Sequence, residues 1–375
     1  MLARALFWGS LGALAWTHVG YPLLAAGLAR RRPRPVRKGE VTPRVTVIVA
    51  AHDEEPVIAK RVENLLALDY PAELVDVVVA SDASTDGTDR VVEELAASEP
   101  RLRLLACPRG GKVNAQNLAV RQTESEIVAF SDANATWAPD TLRRLVRNFA
   151  DTDVAYVCGQ LQLRRADGTN LEGTYWRYEV SLREQESRLG SVTGGNGAVY
   201  AVRRSDYVEV DPRFGHDLSL PYVMVQHGRR AVYEREALAF EKPSRHLEDE
   251  YRRKVRMFEH CWLILLRGGM LRGLDPTYLT EIVSHRVLRY GSGVAHLLLA
   301  ATSLRLAPRS GIARALLVAQ VAGLGLAAAG RLRAPLPGAG LAYYYLLVTQ
   351  ATVVALYRTL RHGVPAVWDK AEGTR

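Results

Sequence analysis

Asp132 and Asn134 stand one residue apart in FSDANA (130–135), at the end of the apolar run EIVAF and ahead of TWAPDTLRRLV, which has helical spacing. Two oxygen-bearing side chains on one turn can face a single point. Hard cations such as Mg2+ and Mn2+ take oxygen ligands, which they usually share with phosphate. The residues leave a second reading open, a helix cap by Asn134 or Thr136. A second polar cluster, SDASTDGT (81–88), puts Asp82 at another apolar run's exit. Capping accounts for Asp86 or Thr88 but not for a carboxylate at the sheet edge. In RGGKVNAQN (109–117), Gly110 and Gly111 let backbone approach a ligand. Arg109 and Lys112 add positive charge ahead of a helix start, which suits phosphate. The alternative is a glycine turn with a solvated lysine. The spacing is not that of a P-loop.

These clusters need elements to hold them. VTVIVA (45–50), VDVVVA (75–80), RLRLLAC (101–107) and EIVAF (126–130) are short runs that read as strands. Between them, VIAKRVENLLAL (57–68) and TDRVVEELAAS (88–98) carry apolar residues at helical spacing. Continuous apolar strands alternating with amphipathic helices imply an α/β domain with a mainly parallel sheet covered on both faces. Ligands of such sheets bind beyond the C-terminal strand ends. The four strands end in AHDEE, SDASTDGT, CPRGGK and SDANA, so the polar clusters share one edge.

The ends of the chain are different. Residues 5–28 are apolar and long enough for a bilayer, which needs about 20 residues. The basic run RRRPRPVRK (30–38) follows it. Basic residues after the apolar core, rather than before it, favour an uncleaved anchor over a signal peptide and put this flank in the cytoplasm. The same placement assigns much of the +9 net charge to membrane lipid rather than to nucleic acid. Three further apolar stretches lie at about 288–306, 312–330 and 339–357. Four spans put both termini opposite residues 31–287, whereas the basic tail RTLRHGVPAVWDK favours the cytoplasmic face. One C-terminal segment lying in the interface would reconcile the two. Cys107, Cys158 and Cys261 are too scattered for a metal motif or a disulfide framework, which suits reduced thiols.

In order, VTVIVAAHDEE, VVVASDASTDGT, GGKVNAQN and IVAFSDANA resemble the N-terminal half of family 2 glycosyltransferases with the GT-A fold. The resemblance continues through YWRYEVSLREQES, GGNGAVYAVRR, GHDLSLPYVMVQHG and EYRRKVRM, over about residues 44–260. The flanking apolar segments suit its membrane-bound branch, which includes cellulose and hyaluronan synthases. The resemblance implies an inverting enzyme with a nucleotide-sugar donor, expected to be a UDP-sugar, and a lipid-linked or surface glycan acceptor.

It also implies roles. Asp82 would contact uracil, and the Ala51 backbone with Glu54 or Glu55 would hold the nucleoside. Lys112 would approach the diphosphate or the sugar side. Asp132 and Asn134 would hold a divalent cation, Mg2+ or Mn2+, with Asn134 a weaker neutral ligand than the usual acid. Asp217 would be the general base. His216 stands where relatives often carry another acid and is expected to be a neutral packing residue. Arg253 and Arg256 would take the Gln and Arg positions of the Gln-X-X-Arg-Trp element on the donor side, with Arg256 pairing with the diphosphate; the alternative is a solvated basic helix face near the membrane. Met257 replaces a Trp of processive members and removes a stacking surface. Gly195 and Asn196 would border the acceptor, and Trp176 would offer a sugar platform or fill the core.

The expected organisation is an anchor over 1–30, a basic linker over 31–43 and a cytoplasmic catalytic domain over 44–260. An interfacial segment over 261–287, about three spans over 288–360 and a tail over 361–375 complete it. The expected setting is a bacterial plasma membrane. Two rivals remain at this point. One is a nucleotide-binding membrane scaffold without turnover. The other is a sugar nucleotidyltransferase, which the absence of a Gly-rich loop in AHDEEPV disfavours.

Overall fold

The computed structural model describes residues 1–163, 174–242 and 247–367, with the side chains of Thr174, Tyr175, Trp176 and Leu247 outside the described set. The chain divides into two compact units. One holds residues 1–27, 246–266 and 279–364; the other holds 28–245, 267–278 and 365–375.

The first unit is helical. It opens with α1 (Leu2–Ala15), a π turn (Trp16–Gly20) and the start of α2 (Tyr21–Arg31).

The second unit is built on an eight-stranded mixed sheet. Its first half runs β1 (Val45–Ala51), α3 (Glu55–Leu66), β2 (Val75–Asp82), α4 (Thr88–Ala96), β3 (Leu102–Cys107), α5 (Lys112–Arg121) and β4 (Ile127–Asp132). The second half adds β5 (Thr136–Trp137), α6 (Thr141–Val146), β6 (Val154–Leu163), α7 (Thr174–Leu189), β7 (Tyr200–Arg203), α8 (His216–Gln226) and β8 (Arg230–Glu241). The spatial order is β3-β2-β1-β4-β7-β6-β8-β5. β3, β2, β1 and β4 are mutually parallel, as the alternating pattern implies. β7 enters antiparallel between β4 and β6. Strands rich in Val and Ile bury both faces, and every β1 residue but Ala50 is buried. α3 shows why the helices cover the sheet. Ile58, Val62 and Leu65 fall on its buried stripe, at the spacing that puts residues on one helix face.

Register places the polar ends. Ala50 pairs with Asp132, and Ala51 with Ser81. The C-terminal ends of β1, β2 and β4 are therefore flush, which brings Asp82 and Asp132 to one edge. Phe130 pairs antiparallel with Tyr200, so the glycine-rich segment before β7 arrives at that edge too.

The linker after α2 is not simply a solvated cation cluster. Arg37 pairs with Asp151 at 3.0 Å, and Lys38 with Glu234 at 2.8 Å. Both carboxylates are almost fully buried, so these two cations belong to the domain's own charge balance. Arg34 accepts from the Arg230 guanidinium through its carbonyl at 2.7 Å. Arg30, Arg31 and Arg32 are exposed.

The first unit continues with nearly all of α9 (Leu247–Arg267), the second half of α10 (Pro276–Ile282), α11 (Leu288–Tyr290), α12 (Ser292–Leu306), α13 (Gly311–Arg331) and α14 (Ala339–His362). The domain edge expected near 260 falls inside α9, whose helical pattern runs unbroken through it. α13 and α14 are long and apolar enough to cross a membrane. α12 is apolar but shorter. Ser310 caps α13 by accepting from the Ala313 amide. Within this unit, the Tyr345 hydroxyl lies 3.0 Å from His18 Nε2 and 2.8 Å from His296 Nε2. Polar groups on apolar helices are thereby satisfied by one another.

Candidate active site

The edge is assembled from four loops. In the first, Asp53 takes a left-handed backbone (φ 51°), and in the second Ala83 does the same (φ 53°). Such positions cost roughly 1–3 kcal/mol and persist where surrounding contacts fix them. Here the two loops fix each other. The Asp53 carboxylate accepts from the Thr85 amide at 2.6 Å and the Thr85 hydroxyl at 3.2 Å. The Asp53 amide donates to Ser84 at 3.1 Å. Partial burial pushes the Asp53 carboxyl up. The Thr85 amide, His52 and the Thr85 hydroxyl outweigh it, so the net position is below the usual carboxylate range. Glu54 donates its amide to Thr88 at 2.7 Å. The Glu55 carboxylate accepts from the Gly87 amide at 3.0 Å and faces Arg90 at 3.3 Å. As placed, Glu55 braces the second loop.

Asp82 is buried and fully engaged. It accepts from Arg109 at 2.6 Å, from the Gly110 amide at 2.7 Å and from the Gly111 amide at 3.0 Å. This carboxylate shapes the third loop. Gly111 sits at φ 88° in the cap position of α5, so the expected helix N-terminus is present. A side chain there would also meet the Ala366 carbonyl, 2.1 Å from the position of its Cβ.

Lys112 follows on α5 and ion-pairs with Asp132. Burial works against its charge. Asp132 outweighs that, with smaller contributions from Asp217 and Glu241, and holds the ammonium above its ordinary value. Asn134 is half-buried beside Asp132. Neither Asn134 nor Thr136 caps α6, whose cap position is Asp140, so the capping alternative does not apply.

Asp217 is the second residue of α8, and Gly215 holds the cap position without a side-chain bond. Asp217 is thus not a cap either. It is half-buried, and no hydrogen bond to its carboxylate is present among the described residues. Its carbonyl accepts from the Gly195 amide at 2.5 Å. Gly195 has no room for a side chain, since a Cβ would lie 1.9 Å from the Tyr156 hydroxyl. A Cβ on Gly197 would lie 3.4 Å from Lys112 Nζ. The glycine segment therefore runs between the base candidate and the lysine. Asn196 is buried, and its amide oxygen accepts from Ala198 at 3.0 Å.

His216 points away from this polar edge into an aromatic cage. Nδ1 lies 2.8 Å from the Tyr200 hydroxyl and Nε2 lies 3.3 Å from that of Tyr207. Burial, with Lys112 adding to it, lowers its pKa to about 3. A neutral imidazole follows, consistent with the packing reading. Folding then holds His216 neutral while the unfolded chain can protonate it. Its contribution to stability is complete above about pH 6.5 and is lost as pH falls toward 3. A His216→Gln variant is expected to flatten the acid limb of thermal stability between those values. An unchanged acid limb would sink the assignment.

Arg253 and Arg256 lie on α9, in the helical unit, and Arg253 bonds Glu250 at 3.0 and 3.1 Å. Trp176 lies in the first turn of α7, and its side chain is outside the described residues. Sequence reading missed Arg61. It is 2% exposed and donates to Ser131 at 2.7 Å, one residue before Asp132. Burial lowers its pKa to about 9, opposed by Asp132 and Glu241. The available signal was a charged residue on the apolar stripe of α3.

No cluster of three or more His, Cys, Asp or Glu able to hold a metal exists among the described residues. One carboxylate with a neutral oxygen beside it fits a hard cation that takes its remaining ligands from phosphate.

Residues 46–210 match the family model described as "Glycosyl transferase family 2". A beta-monoglucosyldiacylglycerol synthase from Nostoc sp. is 36% identical over 211 residues, covering 52% of this chain and 44% of that protein. An N-acetylglucosaminyltransferase from Rhizobium meliloti is 28% identical over 310 residues, covering 75% of this chain and 70% of that one. The chain thus spans less than half the length of the glucosyldiacylglycerol synthase it matches. A mannosyltransferase from Pyrobaculum calidifontis, solved with GDP-Man and Mn2+, superposes with a TM-score of 0.72 at 25% identity, over 96% of this chain and 98% of that one.

Proposed function

We propose, on the premise that this chain is a glycosyltransferase of family 2 with the GT-A fold, that it moves a sugar with inversion from a UDP-sugar to a lipid-linked or surface glycan acceptor at a membrane. The observation that carries the reading is one sheet edge. On it, Lys112 pairs with Asp132, the Asp217 charge acts on the lysine, and the Asp217 carbonyl is bonded to the glycine segment.

In the proposed reaction, Asp217 takes the proton of an acceptor hydroxyl. That oxygen bonds to the anomeric carbon from the face opposite the nucleotide. The bond from that carbon to the diphosphate oxygen breaks, and its electron pair leaves with the nucleoside diphosphate. No enzyme nucleophile is needed. Lys112 is placed to offset charge on the leaving group. Asp132, with Asn134 beside it, would hold Mg2+ or Mn2+, which would neutralise the diphosphate as a Lewis acid. Gly110 and Gly111, fixed by Asp82, would leave room for the nucleoside. Gly195 and Asn196 would form the acceptor side.

The relatives and the neighbour support a nucleotide-sugar donor and a lipid or glycan acceptor. α13, α14 and exposed Arg30–Arg32 support an integral protein of a bacterial plasma membrane with this domain in the cytoplasm.

The test uses detergent-purified protein, Mn2+, native membrane lipids and a panel of UDP- and GDP-sugars. Release of nucleoside diphosphate from one donor is expected. UDP binding without release from any donor would favour the silent scaffold instead. Gly111→Ala adds a specific expectation. Alanine at φ 88°, ψ 168° costs roughly 1–3 kcal/mol, and its methyl group displaces either the Ala366 carbonyl or the loop that Asp82 holds. UDP affinity is expected to fall about tenfold by calorimetry, the equivalent of about 1.4 kcal/mol. Wild-type affinity would show that this loop does not seat the nucleotide.

A further inference from the structure

Arg61 is a fully buried cation whose bonds all go to neutral groups. Among the described residues it donates to Ser131 Oγ and to the Asn64 amide oxygen, and its Nε is buried without a partner. Its guanidinium carbon lies 5.0 Å from the Trp137 ring centroid. Burying such a group without a bonded carboxylate is costly, and an apolar side chain is often at least as stabilising. Its contacts are therefore worth following outward.

They converge on one turn. Ser131 immediately precedes Asp132. At the turn's far end, Asn64 takes both backbone groups of Trp137, accepting from its amide at 2.9 Å and donating to its carbonyl at 3.0 Å. Residues 132–136, which include Asp132 and Asn134, are thus clamped at both ends by one helical turn of α3. The clamp also reaches the glycine segment. Trp137 Nε1 donates to the Ala198 carbonyl at 3.0 Å, and Ser131 Oγ lies 3.3 Å from the same oxygen.

We propose that Arg61 is the positioning residue of the Asp132 turn, holding its carboxylate where a divalent cation and the donor diphosphate meet. This rests on the reading of Asp132 as the cation-binding residue. Among the described residues Arg61 makes no hydrogen bond to Asp132 and acts through Ser131 and, by way of Asn64, through Trp137. Lysine keeps the charge but not the planar fork that reaches Ser131 and Asn64 together.

The experiment is a Mn2+ titration at saturating UDP, followed by the electron paramagnetic resonance signal of the free ion. It compares wild type, Arg61→Met, Arg61→Lys and Asp132→Asn, with thermal unfolding and metal-free UDP affinity measured alongside. Arg61→Met is expected to fold and to bind UDP without metal as wild type does. Its Mn2+ affinity is expected to fall at least tenfold, with Arg61→Lys between the two. Mn2+ bound by Arg61→Met as tightly as by wild type, or more tightly, would overturn the proposal, whatever the change in melting temperature. Should Arg61→Met not fold, Ser131→Ala removes the acceptor and leaves the arginine. A loss of at least threefold is then expected, and wild-type affinity would overturn the proposal. Wild type binding no more Mn2+ than Asp132→Asn would sink the cation reading and this inference with it. Wild-type binding that Arg61→Met shares would sink the inference alone.

Discussion

Asp217→Ala is expected to reduce nucleoside diphosphate release by about 10³-fold, in line with the 10²–10⁴ that a positioned general base contributes. UDP affinity is expected to stay within about twofold, because on this reading the base faces the acceptor. The fold should tolerate the change. Asp217 is not the cap of α8, and its contact with the glycine segment is made by its backbone carbonyl, which alanine retains. The carboxylate instead acts through its charge on Lys112, which it helps to keep protonated. Contrast Asp82, whose carboxylate is occupied by Arg109 and two loop amides. A saturated carboxylate holds a loop in place, whereas an unsaturated one is available for proton transfer. Turnover and UDP titration on the same preparation check both halves. A rate within tenfold of wild type would move the base elsewhere. Loss of UDP binding would place Asp217 on the donor side.

The parts of this site that sequence revealed are those with a local signature. Each of β1 to β4 is a short apolar run followed at once by polar residues, so Asp82, Lys112 and Asp132 could be assigned to strand ends before any pairing was known. Parallel order then follows from the intervening helices, since a crossover leaves little choice. β7 shows the limit. Its four residues, Tyr200–Arg203, carry no pattern that says they pair antiparallel with β4 and separate it from β6. That pairing is non-local, yet it delivers Gly195 and Gly197 to Asp217 and Lys112. The basic linker shows the same limit in charge. Composition sends all of RRRPRPVRK to the membrane, but Arg37 and Lys38 find buried carboxylates far along the chain. Arg61 was hidden for a different reason. On a helix otherwise read as amphipathic, one arginine on the apolar stripe looks like an imperfection of the pattern, and only its reach to Ser131 gives it a purpose.

Asp132→Asn should separate the cation's contribution from that of the nucleoside pocket. Asparagine keeps the shape and the oxygen but removes the charge, so the turn clamped by Asn64 and Arg61 is expected to stay folded. Two charge effects then act together. A hard cation loses its one carboxylate, with only neutral oxygens left at the turn, and such ions are bound through carboxylates and phosphate. Lys112 loses the partner that chiefly offsets its burial. Its ammonium is left with Asp217 as the next carboxylate acting on it, and a lysine drawn toward the base would compete for the group that must accept a proton. Removal of one preorganised electrostatic stabiliser typically costs 10²–10³ in kcat, and with both effects acting we expect about 10³-fold. Mn2+ should no longer stimulate the residual rate, while UDP binding in EDTA should match wild type. The decisive readout is the Mn2+ dependence rather than the rate. If Asp132→Asn were slow yet still stimulated by Mn2+, the cation would be held elsewhere, and Asp132 would act only as the counter-ion that keeps Lys112 away from Asp217.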